Sequence, residues 1–361
     1  MTIEERIRDI EEEIKKTPYN KATQHHIGKL KAKLAQLKED LIRKKSGKKG
    51  TGFSIRKSGD ATVALVGFPS VGKSTLLNQL TDARSRVAEY DFTTLDVIPG
   101  MMDYKGAKIQ ILDIPGLIVG ASSGRGRGKE ILSIVRNSDL ILILLDVNNP
   151  MHLETIEREL YDVGIRLNQK RPRVSIKKID RGGIRVSSTV SLGIDKKTIR
   201  EILNMNGIHN AQVTIHEDIN EDQLIDIVMK NRVYLPSIIA LNKIDLIDDK
   251  KLEEIRSGIK KEVIQISAEK GLNLDKLKRE IFKKLEIIRV YPKRHGQKPD
   301  RPLIMKRGST VGDVCEKLHK EIKEKFKYAI LSGKSARFDS QIVGLNHVLE
   351  DGDVLTIVRG R

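Results

Sequence analysis

Gly67-Phe68-Pro69-Ser70-Val71-Gly72-Lys73-Ser74 fits the pattern G-x-x-x-x-G-K-[ST], and its surroundings make the match informative. Before it runs Ala61-Thr62-Val63-Ala64-Leu65-Val66, an apolar stretch that reads as a buried strand. After it comes Thr75-Leu76-Leu77-Asn78-Gln79-Leu80, which reads as a helix. Strand, glycine turn and helix in that order make an anion cradle. The glycines let backbone N–H groups close around phosphate oxygens, and the helix directs its positive N-terminus at the same charge. Gly67, Pro69, Ser70, Val71, Gly72, Lys73, Ser74 and Thr75 are therefore candidate nucleotide-binding residues. Lys73 would bridge the terminal phosphates, and Ser74 would offer its hydroxyl to Mg2+, a hard cation that takes few protein ligands.

The base is named farther along, by Asn242-Lys243-Ile244-Asp245 and Ser267-Ala268. A carboxylate at Asp245 accepts from both N1–H and the exocyclic amine of guanine. Adenine offers neither donor on that edge and would leave a desolvated charge unpaired. Lys243 would lay its alkyl stem along the purine face, and Asn242 would tie this loop to the phosphate loop. Each motif follows an apolar run, Pro236-Ser237-Ile238-Ile239-Ala240-Leu241 and Val263-Ile264-Gln265-Ile266.

Between them lie the segments expected to sense a γ-phosphate. Asp113-Ile114-Pro115-Gly116 ends the strand-like Ala107-Lys108-Ile109-Gln110-Ile111-Leu112. Asp113 would hold Mg2+ through a water, and the Gly116 N–H would donate to the γ-phosphate. In Tyr90-Asp91-Phe92-Thr93-Thr94-Leu95, Thr94 is favoured over Thr93 to reach both metal and phosphate. Lys73, Thr94 and Gly116 form the candidate catalytic group, and Ser74, Thr94 and Asp113 the candidate metal ligands. After Gly116, many GTPases carry a water-orienting glutamine; here stands Leu117, so a slow intrinsic rate is expected. Arg125 or Arg127, in the glycine-rich stretch that follows, would either neutralise transition-state charge in cis or simply meet solvent.

Taken together, GFPSVGKST, YDFTTLD, DIPGLIVGASSGRGRG, NKID and SA resemble the developmentally regulated GTP-binding protein family, of the Obg group of translation-factor-related GTPases. The resemblance covers nearly the whole chain. It implies an α/β P-loop GTPase domain with a doubly wound, mainly parallel sheet, a helical N-terminal region, an insertion, and a C-terminal TGS domain of β-grasp form. It further implies association with ribosomes or structured RNA and, in eukaryotic relatives, a stabilising partner protein. Relatives stimulated by potassium often carry asparagine where this chain has Ser70, so K+ stays an open cofactor beside Mg2+ and GTP/GDP. The function implied is hydrolysis of GTP to GDP and phosphate as a switch on the translation machinery. The alternative is a nucleotide-gated RNA-binding or assembly protein whose slow hydrolysis is incidental. Asp245 and Ser267-Ala268 argue against an ATP-dependent kinase or ATPase.

Composition agrees. A chain of 361 residues is long enough for two or three domains, and its single cysteine, Cys315, excludes an internal disulfide and suits a reducing compartment. Charges recur through the first forty residues as in no signal peptide, and the apolar run Leu140-Ile141-Leu142-Ile143-Leu144-Leu145 is too short to span a bilayer. A cytoplasmic protein with no membrane partner is expected. The formal charge of +18 favours polyanions through a salt-sensitive field, with RNA rather than specific DNA in view. Lys/Glu enrichment of a heat-stable surface is the competing reading.

Four regions are expected. Residues 1–48 form a helical hairpin: Thr2 and Glu5 make a capping box, and apolar stripes at Ile3, Ile7, Ile10 and Ile14, and at Ile27, Leu30, Leu34, Leu37 and Leu41, bury each other and leave a lysine-rich face exposed. Residues 60–286 form the GTPase domain. Far too many residues separate Asp146 from the strand entering Asn242 for a simple connection, so 165–233 is an α+β insertion, basic at Lys170, Arg171, Arg173, Lys177, Lys178, Arg181 and Arg185. Residues 288–361 form the β-grasp domain, with one helix running from its Thr310 cap to about Phe326.

Overall fold

The structure, a computed structural model, describes residues 2–44, 58–81, 98–114, 134–293 and 301–360. The chain begins with helices α1 (Ile3–Lys16) and α2 (Gln24–Lys44), followed by β1 (Ala61–Val66), α3 (Lys73–Leu80), β2 (Ile98–Tyr104), β3 (Ala107–Asp113), β4 (Leu140–Asp146) and α4 (His152–Asp162). An interpolated segment holds β5 (Ile165–Leu167), β6 (Val174–Lys178), β7 (Ile184–Ser188), α5 (Lys196–Met205), β8 (Ala211–Ile215), α6 (Glu221–Met229) and β9 (Val233–Leu235). Then come β10 (Ser237–Asn242), α7 (Asp249–Gly258), β11 (Val263–Gln265) and α8 (Leu274–Lys284). The C-terminal part contains β12 (Ile287–Pro292), β13 (Leu303–Lys306), α9 (Val311–Leu318), α10 (Lys320–Glu324), β14 (Phe326–Ser332), β15 (Gln341–Val343) and β16 (Val354–Arg359). Among the described residues, no helix is long and apolar enough to cross a membrane.

These elements divide into two compact units. One comprises Ser54–Gly116, Asn137–Leu153 and Pro236–Arg361. Its six-stranded sheet has the order β11-β10-β4-β1-β3-β2. All neighbours pair parallel except β2, which returns antiparallel along β3. The strands β1, β4 and β10 are buried at every position, as central strands covered on both faces must be. That is why they read as unbroken apolar runs rather than alternating ones. Leu76, Leu77 and Leu80 of α3, and Leu277 and Ile281 of α8, join the same core.

The same unit contains a five-stranded sheet of order β13-β12-β16-β14-β15. Here β12 pairs antiparallel with β13 and parallel with β16, so the first and last strands of the region lie side by side. Thr310 caps α9 with Asp313 in a capping box, and Cys315 on this helix is fully buried. The expected single helix to Phe326 is broken. His319 is fully extended (φ −173°, ψ 139°), ending α9, and its ring nitrogen then accepts from the Glu321 N–H to start α10.

The other unit comprises Met1–Phe53, Leu117–Arg136 and Glu154–Leu235. The Thr2/Glu5 capping box opens α1. The Asn20 carboxamide oxygen accepts from the Ala22 and Thr23 amides and so turns the chain into α2. The three strands β6-β8-β7 back onto α5 and α6 through Val213, Ile215, Ile199, Ile202 and Leu224. Ala32 of α2 belongs to that core too. The expectation that the two stripes bury each other and leave the lysines exposed is therefore corrected in part: α2 also packs into this core, and of its lysines Lys33 is exposed while three others are paired. Lys29 pairs with Glu201 at 2.9 Å, Lys31 with Asp222 at 2.7 Å, and Lys38 with Glu11 at 2.8 Å and Asp162 at 2.9 Å. With α2 lying on α5, these three lysines meet the carboxylates of neighbouring elements. At the stem, where β5 and β9 pair in parallel, buried Asp226 holds both Arg166 (2.5 Å) and Arg232 (2.9 Å). Removing one member of such a buried set typically costs about 3–5 kcal/mol, because the remaining charge is left without compensation.

Candidate nucleotide-binding site

The carboxyl ends of β1, β3, β4, β10 and β11 all face the same way, and each carries a polar residue or loop singled out by the sequence or placed beside one. Ligands of open parallel sheets bind at that edge. The loop leaving β1 turns through Ser70 (φ +64°) and Gly72 (φ +92°), both in the left-handed region. Gly72 has a second constraint: a Cβ there would stand 2.5 Å from the Asn242 amide nitrogen. At Gly67 a Cβ would stand 2.7 Å from the Leu144 carbonyl oxygen, so the loop can hug β4 only as glycine.

Asn242, buried at the end of β10, joins three loops. Its Nδ2 donates to the Val71 carbonyl at 2.8 Å, and its Oδ1 accepts from the Ala268 N–H at 2.9 Å. The phosphate loop, the Asn242–Asp245 turn and the Ser267-Ala268 loop are thus held by one side chain. Ser267 is fully buried; its hydroxyl accepts from the Lys270 N–H at 3.1 Å and its backbone bonds across to Leu272. That arrangement folds the loop back on itself and fixes Ala268. Asp245 lies on a single 3-10 turn, Ile244–Leu246, with its carboxylate exposed at the mouth of the site.

Lys243 is likewise left-handed (φ +68°). Its ammonium donates to the Ser70 carbonyl at 2.8 Å and to Asp146 Oδ2 at 2.6 Å. Asp146 was not among the sequence candidates. It ends β4, and its other oxygen accepts from the backbone and side-chain amides of Asn148, at 2.9 Å and 3.0 Å. Burial would raise this carboxyl, but the Lys243 and Asn148 hydrogen bonds outweigh burial and hold it below the usual carboxylate range. A signal was present in the sequence: an acid closing a wholly apolar strand of a parallel sheet stands at the ligand-binding edge.

Lys73, Ser74 and Asp113 test the fit for phosphate and metal. Lys73 Nζ donates to the Gly67 and Phe68 carbonyls of its own loop, each at 3.1 Å. Ser74 Oγ lies 3.4 Å from Asp113 Oδ2, while Asp113 Oδ1 is buried with no hydrogen-bond partner. Burial pushes the Lys73 amine down despite Asp113, and pushes the Asp113 carboxyl up despite Lys73 and Ser74. Both ions are thus short of compensating charge. A divalent cation beside Ser74 and Asp113, with phosphate against Lys73, supplies that charge, so the residues fit a Mg2+-nucleotide. Pro69 and Ser70 stand exposed on the loop, Val71 is buried beneath it, and Thr75 is exposed in the first turn of α3. Thr94 and Gly116, with Thr93, Leu117, Arg125 and Arg127, lie outside the described residues.

Residues 62–178 match the family described as 50S ribosome-binding GTPase, 181–287 the C-terminal region of that domain, and 288–359 the TGS domain. An uncharacterized GTP-binding protein of Methanocaldococcus jannaschii is 59% identical over 99% of this chain and 93% of its own length. Developmentally-regulated GTP-binding protein 1 of Xenopus laevis is 46% identical over 98% of both chains. Developmentally-regulated GTP-binding protein 2 of Homo sapiens is 43% identical over 99% of this chain and all of its own. Matched from end to end at these identities, and carrying both the GTPase and the TGS patterns, the chain belongs to the developmentally regulated GTP-binding protein family of Obg-type GTPases.

Proposed function

We propose that this protein hydrolyses GTP to GDP and phosphate, slowly when alone, and that its nucleotide state switches its grip on the ribosome in the cytoplasm. The observation that carries the reading is the Asn242 junction, which sets the phosphate loop and both base-side loops around one cleft edge. Family membership implies a guanine nucleotide and Mg2+, and both would bind at this edge. Bound there, the metal would neutralise phosphate charge and polarise the reacting phosphoryl oxygens.

The chain's own residues then have distinct tasks. Backbone N–H groups between Gly67 and Thr75, Pro69 having none, would cradle the phosphates; Lys73 would exchange its loop carbonyls for phosphate oxygens; Ser74 and Asp113 would face the metal side, Asp113 through a water. Asp245 would read the guanine N1–H and amine while Lys243 covers one purine face and Ser267-Ala268 closes the other end. Thr94 and Gly116 would sense the γ-phosphate, and release of both on hydrolysis would let their segments relax. Leu117 has no group with which to orient water, so chemistry without a partner would be slow. The family pattern and the charge of +18 support ribosomal RNA as the counter-surface.

Cosedimentation with ribosomes across a potassium chloride series, with a non-hydrolysable GTP analogue and again with GDP, tests the switch. Tighter binding in one state is expected, and equal binding in both would overturn the reading. Because Leu117 favours slow chemistry, a second reading stands beside the first: a nucleotide-gated RNA-binding protein in which turnover is incidental. A variant that binds GTP without hydrolysing it, yet restores ribosome function in cells, would select the second.

A further inference from the structure

We propose that the outer face of the β6-β8-β7 sheet is a docking surface for double-helical RNA, gripping its sugar-phosphate backbone rather than its bases. The inference rests on the RNA-partner reading above and assigns it a surface and a class of RNA. The register fixes what this face presents. Ser175, Thr214 and Ser187 stand in one cross-strand row, and Lys177, Gln212 and Arg185 in the next. The opposite face is spent on the core, through Val174, Ile176, Val213, Ile215, Ile184 and Val186.

All six outward residues are polar, five are exposed and Thr214 is half-buried. None is an acid, and among the described residues neither Lys177 nor Arg185 is engaged in an ion pair, in contrast to Arg173 nearby, which is held by Glu217. An exposed β-sheet more often mixes both signs of charge for solubility.

The spacing selects the ligand. Lys177 and Arg185 are separated by the central strand, roughly 10 Å apart as two interstrand steps. They cannot converge on one small anion, but they can meet two phosphates of a continuous backbone. The hydroxyl row offers groups that both donate and accept, as recognition of a ribose 2′-OH requires. No aromatic residue stands on the face, so splayed single-stranded bases would find no ring to stack on and only the one guanidinium of Arg185.

The test uses the full-length protein, a blunt RNA duplex of about 16 base pairs, the DNA duplex of the same sequence, and one RNA strand alone, each titrated over a salt series. The wild type should prefer the RNA duplex to the single strand. Lys177→Gln with Arg185→Gln should weaken duplex binding about tenfold and flatten the salt slope by about two. The charge-matched control Lys196→Gln with Lys197→Gln, on α5 away from this face, should change neither. Ser175→Ala with Ser187→Ala should weaken RNA while leaving DNA untouched. Circular dichroism and the melting curve of every variant report intact folding of the mutated unit. No duplex binding by the wild type, single-strand preference, or an equal loss in the α5 control would overturn the proposal. Ribosome cosedimentation of the same variants separates the two readings: nucleotide-independent binding sinks the switch alone, whereas an unaltered salt slope on the isolated duplex sinks the surface alone.

Discussion

Asp146→Asn removes one negative charge from the site while keeping the shape and an acceptor for Lys243. The wild-type pair is a charge-assisted hydrogen bond of 2.6 Å that, with Ser70, anchors the Lys243 ammonium. Such bonds contribute about 1.5–3 kcal/mol, and the variant keeps a hydrogen bond to the ammonium while losing the opposite charge, so only part of that is lost. The Lys243 side chain is 31% exposed, which puts the loss toward the low end, about 1 kcal/mol. If the anchored stem is what lies along the purine, GDP should dissociate about fivefold faster. Stopped-flow release of a fluorescent GDP analogue measures this directly. A cycle with Lys243→Met then tells positioning from general loosening, because Asp146→Asn should add almost nothing once the ammonium is gone. Additive losses, or an unchanged release rate in a folded Asp146→Asn protein, would refute the argument that Asp146 acts through Lys243.

Two further outcomes follow from the same geometry. Gly72→Ala would have to place a Cβ where the Asn242 amide now sits, in a left-handed conformation that itself costs an alanine about 1–2 kcal/mol. With the two Asn242 hydrogen bonds displaced as well, guanine nucleotide affinity by calorimetry should fall at least a hundredfold while circular dichroism is preserved. Beside the five-stranded sheet, Arg289 of β12 holds the Asp351 carboxyl below its ordinary value by side-chain hydrogen bonds of 2.7 Å and 3.0 Å, against the opposing effect of burial. A depressed folded-state pKa stabilises above the unfolded value, and that stability is lost as pH falls through the folded one. Wild type and Asp351→Asn should therefore differ in melting temperature near neutral pH and converge in acid; a constant gap would exclude this pair as the cause.

Sequence patterns were most legible where chemistry demands a residue at a fixed spacing. Gly67 to Ser74, Asn242 to Asp245 and Ser267-Ala268 need particular backbones and donors, so they stand out without any knowledge of their neighbours. The buried strands β1, β4 and β10 were readable for a similar reason: being covered on both faces leaves mostly apolar residues, with polar ones chiefly near the strand ends. The strand β2 escaped notice, since Ile98-Pro99-Gly100-Met101-Met102 at a sheet edge shows neither alternation nor an apolar run.

What only the tertiary structure decided are the partnerships between residues distant along the chain. Lys243 with Asp146 and Ser70, Lys29 with Glu201, and Lys177 level with Gln212 and Arg185 are each set by strand order, register or helix packing. The sequence shows the α2 lysines and those of β6 as equally basic, yet folding pairs Lys29, Lys31 and Lys38 with carboxylates, whereas Lys177 has no ion pair among the described residues. The difference lies in the packing: α2 rests against elements that bring carboxylates to three of its lysines, whereas among the described residues no acid faces Lys177 on the outer side of β6.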